Sequence, residues 1–147
     1  MFRGKFIHTI DPKGRLSIPS RFRDDLVARG TDTLVLTEAD ECLWAFPLDE
    51  WEQFEQKLRQ QSQFSADVRS VVRMTVASAK DCPVDRAGRT LIPPELRQYA
   101  RLNKEVVLAG TLNRFEIWDR ERWDAYTERN RNGGFEQSAR KLGDLGL

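Results

Sequence analysis

The chain is poor in the residues that most often build metal centres and cross-links. Its 147 residues include only two cysteines and one histidine. Cys42 and Cys82 lack CxxC spacing and histidine neighbours, so we expect buried free thiols and neither a zinc site nor a redox pair. His8 lies in a predicted strand with no second histidine to share a metal, which favours a packed or hydrogen-bonded side chain. We therefore expect no metal and no cofactor.

Long apolar runs are also missing. No stretch is long enough to cross a bilayer, and residues 1–5 lack the apolar core of a signal peptide. We therefore expect a cytoplasmic protein with no membrane partner. A hydrophobic content of 39% is nevertheless enough for the core of one ordinary domain or two very small ones.

Charge is spread unevenly along the chain although the formal net charge is only +1. Residues 1–23 carry six Lys and Arg side chains against the single Asp11, whereas residues 24–55 carry ten acidic groups against Arg29. A basic surface formed by the first segment could attract an anionic polymer, while the acidic segment stays away from it. The alternative is an ordinary solvated surface.

The strongest pattern is an internal repeat. The nine residues that begin at Asp11 recur from Asp85, and both stretches read Asp-x-x-Gly-Arg-x-x-Ile-Pro. After a two-residue deletion, the apolar and aromatic positions downstream also correspond: Leu36 with Leu108, Phe46 with Trp118, Trp51 with Trp123 and Phe54 with Tyr126. The chain therefore consists of two copies of one small unit.

Each copy of the motif predicts a tight turn between two strands. Asp11 and Asp85 can accept hydrogen bonds from the amides of their own turns, and Gly14 and Gly88 can adopt the left-handed conformation. A proline then opens a short helix in each copy. Further strands are predicted over residues 34–37, 43–46, 106–109 and 115–118, and further helices from about Pro47 and Asp119 and after a Ser65 cap.

Cations stand at the tip of each predicted turn, with Arg15 beside Lys13 and Arg89 beside Arg86. A narrow two-stranded element can enter the major groove of DNA, where arginine donates two hydrogen bonds to guanine. The alternative is that Arg15 and Arg89 pair with the turn aspartates or with another acidic neighbour.

The opening Met1-Phe2-Arg3-Gly4, both Asp-x-x-Gly-Arg motifs and the stretch Phe115-Glu116-Ile117-Trp118 together resemble the MraZ family, from residue 1 to about residue 130. The resemblance implies an α+β fold of two tandem, pseudo-symmetric AbrB-like swapped-hairpin units that form a small barrel-like β core with flanking helices. The expected division is a first unit over residues 1–62, a linking helix over 63–76, a second unit over 77–129 and a flexible tail over 130–147.

The resemblance also implies a function and a site. It implies a sequence-specific regulator of transcription that binds G-rich direct repeats in double-stranded DNA, controls the division and cell-wall gene cluster and its own promoter, assembles into a ring-shaped homo-oligomer of eight or more subunits, and associates with the nucleoid. The family's motif falls on the turn-forming Asp11, Gly14, Asp85 and Gly88 and on the DNA-binding Arg15 and Arg89. From charge alone, we add Lys13, Arg86 and Arg3 as phosphate contacts.

Two other classes of function compete with DNA binding. An enzyme could use Asp11 and Asp85 as paired carboxylates or metal ligands, but turn formation accounts for both, and the sequence has no Walker loop and no Gly-x-Ser-x-Gly elbow. We therefore expect no catalysis and no small-molecule substrate. An AbrB-like antitoxin module would instead bind a protein partner through its C-terminal segment, and it remains the alternative.

Overall fold

The protein is described here by a computed structural model that covers residues 1–146. The strands in these residues are β1 (Lys5–Thr9), β2 (Arg15–Ser17), β3 (Thr33–Ala39), β4 (Cys42–Pro47), β5 (Lys80–Pro83), β6 (Arg89–Leu91), β7 (Glu105–Gly110) and β8 (Phe115–Asp119). The helices are α1 (Ser20–Ala28), α2 (Leu48–Arg59), α3 (Ala66–Thr75), α4 (Pro94–Tyr99), α5 (Arg120–Arg129) and α6 (Phe135–Lys141). The fold is mixed α and β with antiparallel sheets, as the sequence predicted.

The two copies of the repeat exchange their first strands within a six-stranded sheet of order β1-β7-β8-β4-β3-β5. Strand β1 of the first copy pairs with β7 of the second, and β5 of the second copy pairs with β3 of the first. Phe6 lies opposite Leu108, and Lys80 lies opposite Leu36, so the two exchanged pairs have the same register in the repeat. Each copy therefore completes the sheet of the other.

A second, two-stranded ladder joins β2 to β6. The sequence predicted a hairpin around each turn, but only one bridge, between Ile10 and Leu16, connects the two sides of the first hairpin beyond its turn. Strand β2 then pairs with the other copy because Leu16 and Ile18, both fully buried, enter the core that the copies share. The observed hairpins are therefore shorter than the sequence predicted.

The main hydrophobic core draws on both copies. Phe2 and Phe22 meet edge to face with ring centroids 5.3 Å apart, and Phe115 of the second copy lies 4.8 Å from Phe22. Ile18 and its equivalent Ile92 are fully buried in the same cluster. Because a large buried side chain contributes about 1.5–3 kcal/mol, this shared core holds the copies together.

The predicted helix boundaries correspond closely to the structure. Ser65 caps α3 by accepting a hydrogen bond from the amide of Val68 at 3.3 Å. Asp119 caps α5 in the same way through the amide of Arg122. Trp51 at the start of α2 is buried and meets Phe46 edge to face, with ring centroids 5.3 Å apart.

The segment after residue 129, which the resemblance implied to be a flexible tail, is helical over most of its described length. It forms a π-helical turn at Asn130–Gly134, then α6 and a short 3-10 turn at Gly143–Leu145. Within the π-helical turn, Asn132 and Gly133 leave helical geometry. Glu, Gln, Ala, Arg and Lys in α6 favour helix, which accounts for the difference. Every side chain of residues 135–146 is exposed, so no buried contact anchors this segment. Within residues 1–146, no helix is both long and apolar enough to span a membrane.

Replacing Phe22 with alanine tests the shared core. Phe22 is 2% exposed and contacts aromatic rings of both copies, so we expect Phe22→Ala to lower the free energy of unfolding by about 3–5 kcal/mol. Phe64→Ala is the matched control, because Phe64 is 96% exposed and should cost less than about 0.5 kcal/mol. Urea denaturation followed by circular dichroism measures both. Equal losses in the two variants would contradict the assignment of the core.

Candidate nucleic-acid interface

The first turn is built around Asp11. Its Oδ1 accepts hydrogen bonds from the backbone amides of Lys13 and Arg15, both at 2.9 Å. The amide of Gly14 donates to the Asp11 carbonyl oxygen at 2.9 Å, and Gly14 has a φ of +88°. A side chain with a Cβ is strained in that left-handed conformation, so the turn requires glycine there.

The second turn repeats this geometry around Asp85. Its Oδ1 accepts hydrogen bonds from the amides of Ala87 and Arg89, at 2.9 and 3.0 Å. The amide of Gly88 donates to the Asp85 carbonyl oxygen at 2.9 Å, and Gly88 has a φ of +78°. The aspartates therefore act on their own backbone, and each fixes the loop that carries the following arginine.

The turn arginines do approach the turn aspartates, as the alternative interpretation of the sequence held. Arg15 Nε donates to Asp11 Oδ2 at 2.6 Å, whereas Arg89 Nε lies 3.5 Å from Asp85 Oδ2 and makes no hydrogen bond. Within residues 1–146, the terminal nitrogens Nη1 and Nη2 of Arg15 and Arg89 form no hydrogen bond to the protein. Both side chains are partly exposed, at 35% and 38%. Their outer nitrogens can therefore serve a ligand.

The β2–β6 ladder places both arginines on one face. Leu16 lies opposite Thr90, and both are buried. Because side chains alternate along a strand, Arg15 and Arg89 point to the other face of the ladder, away from the core. Arg89 lies opposite Ser17, two residues along the strand from Arg15, so the two arginines are offset by about 7 Å along the ladder.

Two further arginines, which the sequence analysis missed, cover the turns. The guanidinium of Arg97 on α4 lies against Gly14 of the other copy, and that of Arg23 on α1 lies against Gly88. The signal that could have revealed them is an extension of the repeat, because both copies continue as Ile-Pro-x-x-x-Arg. Four arginines therefore surround the two turns.

The remaining predicted cations are not all near the turns. Lys13 and Arg86 are exposed within the turns themselves. Arg3 precedes β1, whose length of about 13 Å separates it from the first turn. The backbone of Arg3 packs against Gly110, the last residue of β7, beside the start of β1 and away from the turn. The structure therefore places Lys13 and Arg86 in the turns that precede Arg15 and Arg89, and Arg3 away from both turns.

The turn carboxylates have perturbed acidities. Backbone hydrogen bonds, above all from the amide of Arg15, lower the pKa of Asp11, and burial only partly opposes them. The amides of Arg89 and Ala87 lower the pKa of Asp85 in the same way. Hydrogen bonds to the charged form favour that form, so both turns carry carboxylates near neutral pH.

The two thiols are free and buried, which confirms the prediction from their spacing. Burial raises the pKa of Cys82 to about 11 and that of Cys42 further, so neither thiol is reactive near neutral pH. Across residues 1–146, no group of three or more His, Cys, Asp or Glu side chains could hold a metal ion.

Comparison with known proteins finds one family model twice in this chain, over residues 1–74 and 75–145, with the description "MraZ protein, putative antitoxin-like". The chain belongs to the MraZ family. The two matches meet at the end of α3. Together they reproduce the repeat that both the sequence and the sheet pairing display.

Named relatives in the MraZ family cover most or all of the chain. A protein of Moorella thermoacetica is 44% identical over the full length of both chains. One from Pelotomaculum thermopropionicum is 46% identical over 100% of this chain and 99% of its own. One from Syntrophobacter fumaroxidans is 49% identical over 85% of this chain and 83% of its own. Each is named "Transcriptional regulator MraZ".

The turn glycines of this MraZ-family chain can be tested with alanine. A Cβ at Gly14 would lie 2.8 Å from Arg97 Cζ, whereas nothing lies within 4 Å of one at Gly30, whose φ is +74°. Gly30→Ala should therefore lower the free energy of unfolding only by the strain of the left-handed conformation, about 1–2 kcal/mol. Gly14→Ala should cost more because the guanidinium must also move. Denaturant titration compares them, and a larger loss in Gly30→Ala would contradict the packing.

The acidity of the turn aspartates can be measured directly. The folded-state pKa of Asp11 is depressed, so its contribution to stability is present above the ordinary pKa of 3.8 and is lost as pH falls through the folded value. We therefore expect the stability difference between the wild type and Asp11→Asn to shrink as the pH falls below about 4. Carboxyl carbon NMR should place the Asp11 midpoint below 3.8. A midpoint above that value would be inconsistent with the turn hydrogen bonds.

Proposed function

We propose that this chain is a regulator of transcription that binds double-stranded DNA sequence-specifically through its two arginine-bearing turns. The main support is that Arg15 and Arg89 share the outward face of one ladder, and each follows a turn that is fixed by an aspartate and a glycine. The relatives' name supports a role in transcription. The proposed role is non-enzymatic, since the turn carboxylates are engaged by their own backbone amides.

The geometry suits direct readout in the major groove. An offset of about 7 Å along the ladder corresponds to about two base-pair steps, so the two arginines could address bases two steps apart. Arginine bonds guanine O6 and N7 through two N–H groups, which favours G-rich sites. In the first turn, Asp11 holds Nε of Arg15 and leaves the terminal nitrogens for the base.

Other cations would hold the phosphate backbone. Lys13 and Arg86 stand exposed at the tips of the turns, where flexible cations meet phosphates on either side of the groove. Arg3 would reach only a phosphate at the margin of the contact, because it lies beyond the far end of β1. These side chains would position the protein without reading sequence.

We further propose that the strand exchange is the swapped-hairpin arrangement of the AbrB-like group, with its small barrel-like core. The biological assembly in this proposal is a ring of eight or more subunits, bound on the nucleoid to G-rich direct repeats that control the division and cell-wall genes and the chain's own promoter. A ring presents many turns at once, and linked weak contacts gain affinity through their high effective concentration.

One observation favours a second candidate, an antitoxin-type module that binds a protein partner. The C-terminal helical segment is exposed and carries Phe135 and Leu145, which are 67% and 69% exposed. The family description also contains the word antitoxin-like. Deleting residues 131–147 distinguishes the two: loss of a protein complex with intact DNA binding would favour the antitoxin-type module.

Alanine substitution of the turn arginines tests the proposed DNA contact. We expect Arg15→Ala and Arg89→Ala each to weaken binding to the chain's own promoter DNA by about 1–3 kcal/mol, because each removes contacts to a base. Fluorescence anisotropy measures the affinity, and size-exclusion chromatography should show unchanged assembly. Arg59→Ala on α2 removes the same charge away from the turns and should change the affinity little. Wild-type affinity in the double variant Arg15→Ala with Arg89→Ala would refute this mechanism.

A further inference from the structure

We propose that Arg23 and Arg97 are positioning residues that form a crossed clamp, in which each holds the DNA-reading turn of the other copy. The inference rests on the proposed function for its effect on DNA, whereas the clamp itself follows from contacts within the protein. The two residues occupy equivalent places in the repeat, and each faces the turn of the opposite copy.

The contact is a guanidinium laid against a glycine. A Cβ at Gly14 would lie within 2.8–3.1 Å of Cζ, Nη2 and Nε of Arg97, so three atoms of the flat group face the turn at once. A Cβ at Gly88 would lie 2.7 Å from Cζ of Arg23. The absence of a side chain on either glycine is therefore what admits the arginine.

Backbone hydrogen bonds close the clamp on the first turn. The amide of Ile92 donates to the carbonyl oxygen of Gly14 at 3.0 Å, and the carbonyl oxygen of Ile92 accepts from Arg97 Nε at 3.0 Å. Gly14 is therefore held through its carbonyl and across its open face by residues of the other copy. This arrangement limits the movement of the turn that presents Arg15.

The second turn is held less completely. The amide of Ile18 donates to the carbonyl oxygen of Gly88 at 2.8 Å, as the repeat requires. Arg23 Nε, however, is buried without a hydrogen-bond partner, and so is Arg89 Nε. In the first turn both equivalent nitrogens are satisfied. We therefore assign the firmer clamp to Arg97 and the first turn.

The clamp should act on affinity through preorganisation. A turn that is already ordered loses less conformational freedom when it binds, so removing its clamp weakens binding although no contact to DNA is lost. Lysine should not replace arginine, because an ammonium group has no flat face to lay against the glycine. This distinguishes positioning from a simple requirement for positive charge.

A double-mutant cycle with salt titration tests the clamp. We expect Arg97→Ala to weaken binding to promoter DNA about tenfold, and Arg97→Lys to weaken it nearly as much. The slope of log affinity against log salt should stay unchanged. The loss should be less than additive with Arg15→Ala but additive with Arg89→Ala, because the clamp acts on the first turn. A slope reduced by about one unit and rescue by lysine would identify a direct phosphate contact and overturn the proposal.

Hydrogen exchange on the full-length protein tests the clamp without DNA. In Arg97→Ala, peptides covering residues 10–16 should exchange faster while those covering 84–90 stay protected, and Arg23→Ala should show the reverse with a smaller change. If alanine impairs folding, which circular dichroism monitors, Arg97→Lys takes its place: it keeps the charge and the aliphatic stem but has no flat group, so the same faster exchange over residues 10–16 is expected. Unchanged exchange at both turns overturns the clamp. Failure of the wild type to bind DNA would refute the proposed function. The hydrogen-exchange measurement would still show whether the clamp holds the turns.

Discussion

The antiparallel pairing of β2 with β6 is the contact on which the rest of the structure depends. In this ladder Leu16 lies opposite Thr90, its own equivalent in the repeat, so the two copies meet as they would in a twofold dimer. The amides of Ile18 and Ile92 extend the pairing to the turn glycines of the opposite copy. Because buried amides need partners, neither copy can satisfy its motif strand alone.

The candidate interface follows from this pairing. The inward face of the ladder closes the shared core, which leaves the outward face exposed, where Leu91 lies beside the polar side chains. The motif places its arginine directly after the turn glycine in both copies, and antiparallel pairing then brings the two arginines onto that outward face with a fixed offset. The aspartates and glycines fix the backbone from which the arginines project, and in the proposed function they serve recognition in this indirect way.

Local features were predictable from the residues themselves, whereas the exchange of strands between copies was expected only from the resemblance to the MraZ family. The turns, the Ser65 cap and the start of α2 after Pro47 depend on residues close in the chain. The exchange of β1 and β5 between copies has no local signature, since the strand pattern is the same whichever partner it finds. The contacts of Arg23 and Arg97 with the turn glycines depend on the pairing of the two copies, so the repeat alone could have shown only that these arginines are equivalent. The tail helix formed despite its glycines because helix-favouring residues follow them.

The most direct test of the account is a salt-dependent titration of the purified wild-type protein on its own upstream promoter DNA, beside a scrambled duplex of equal length. If the arginine turns read DNA, the protein binds the promoter more tightly than the scrambled duplex, and log affinity falls linearly against log salt as phosphate contacts release counterions. Equal and weak binding to both duplexes would contradict it, and the arginine turns would then be surface features of a protein-binding module.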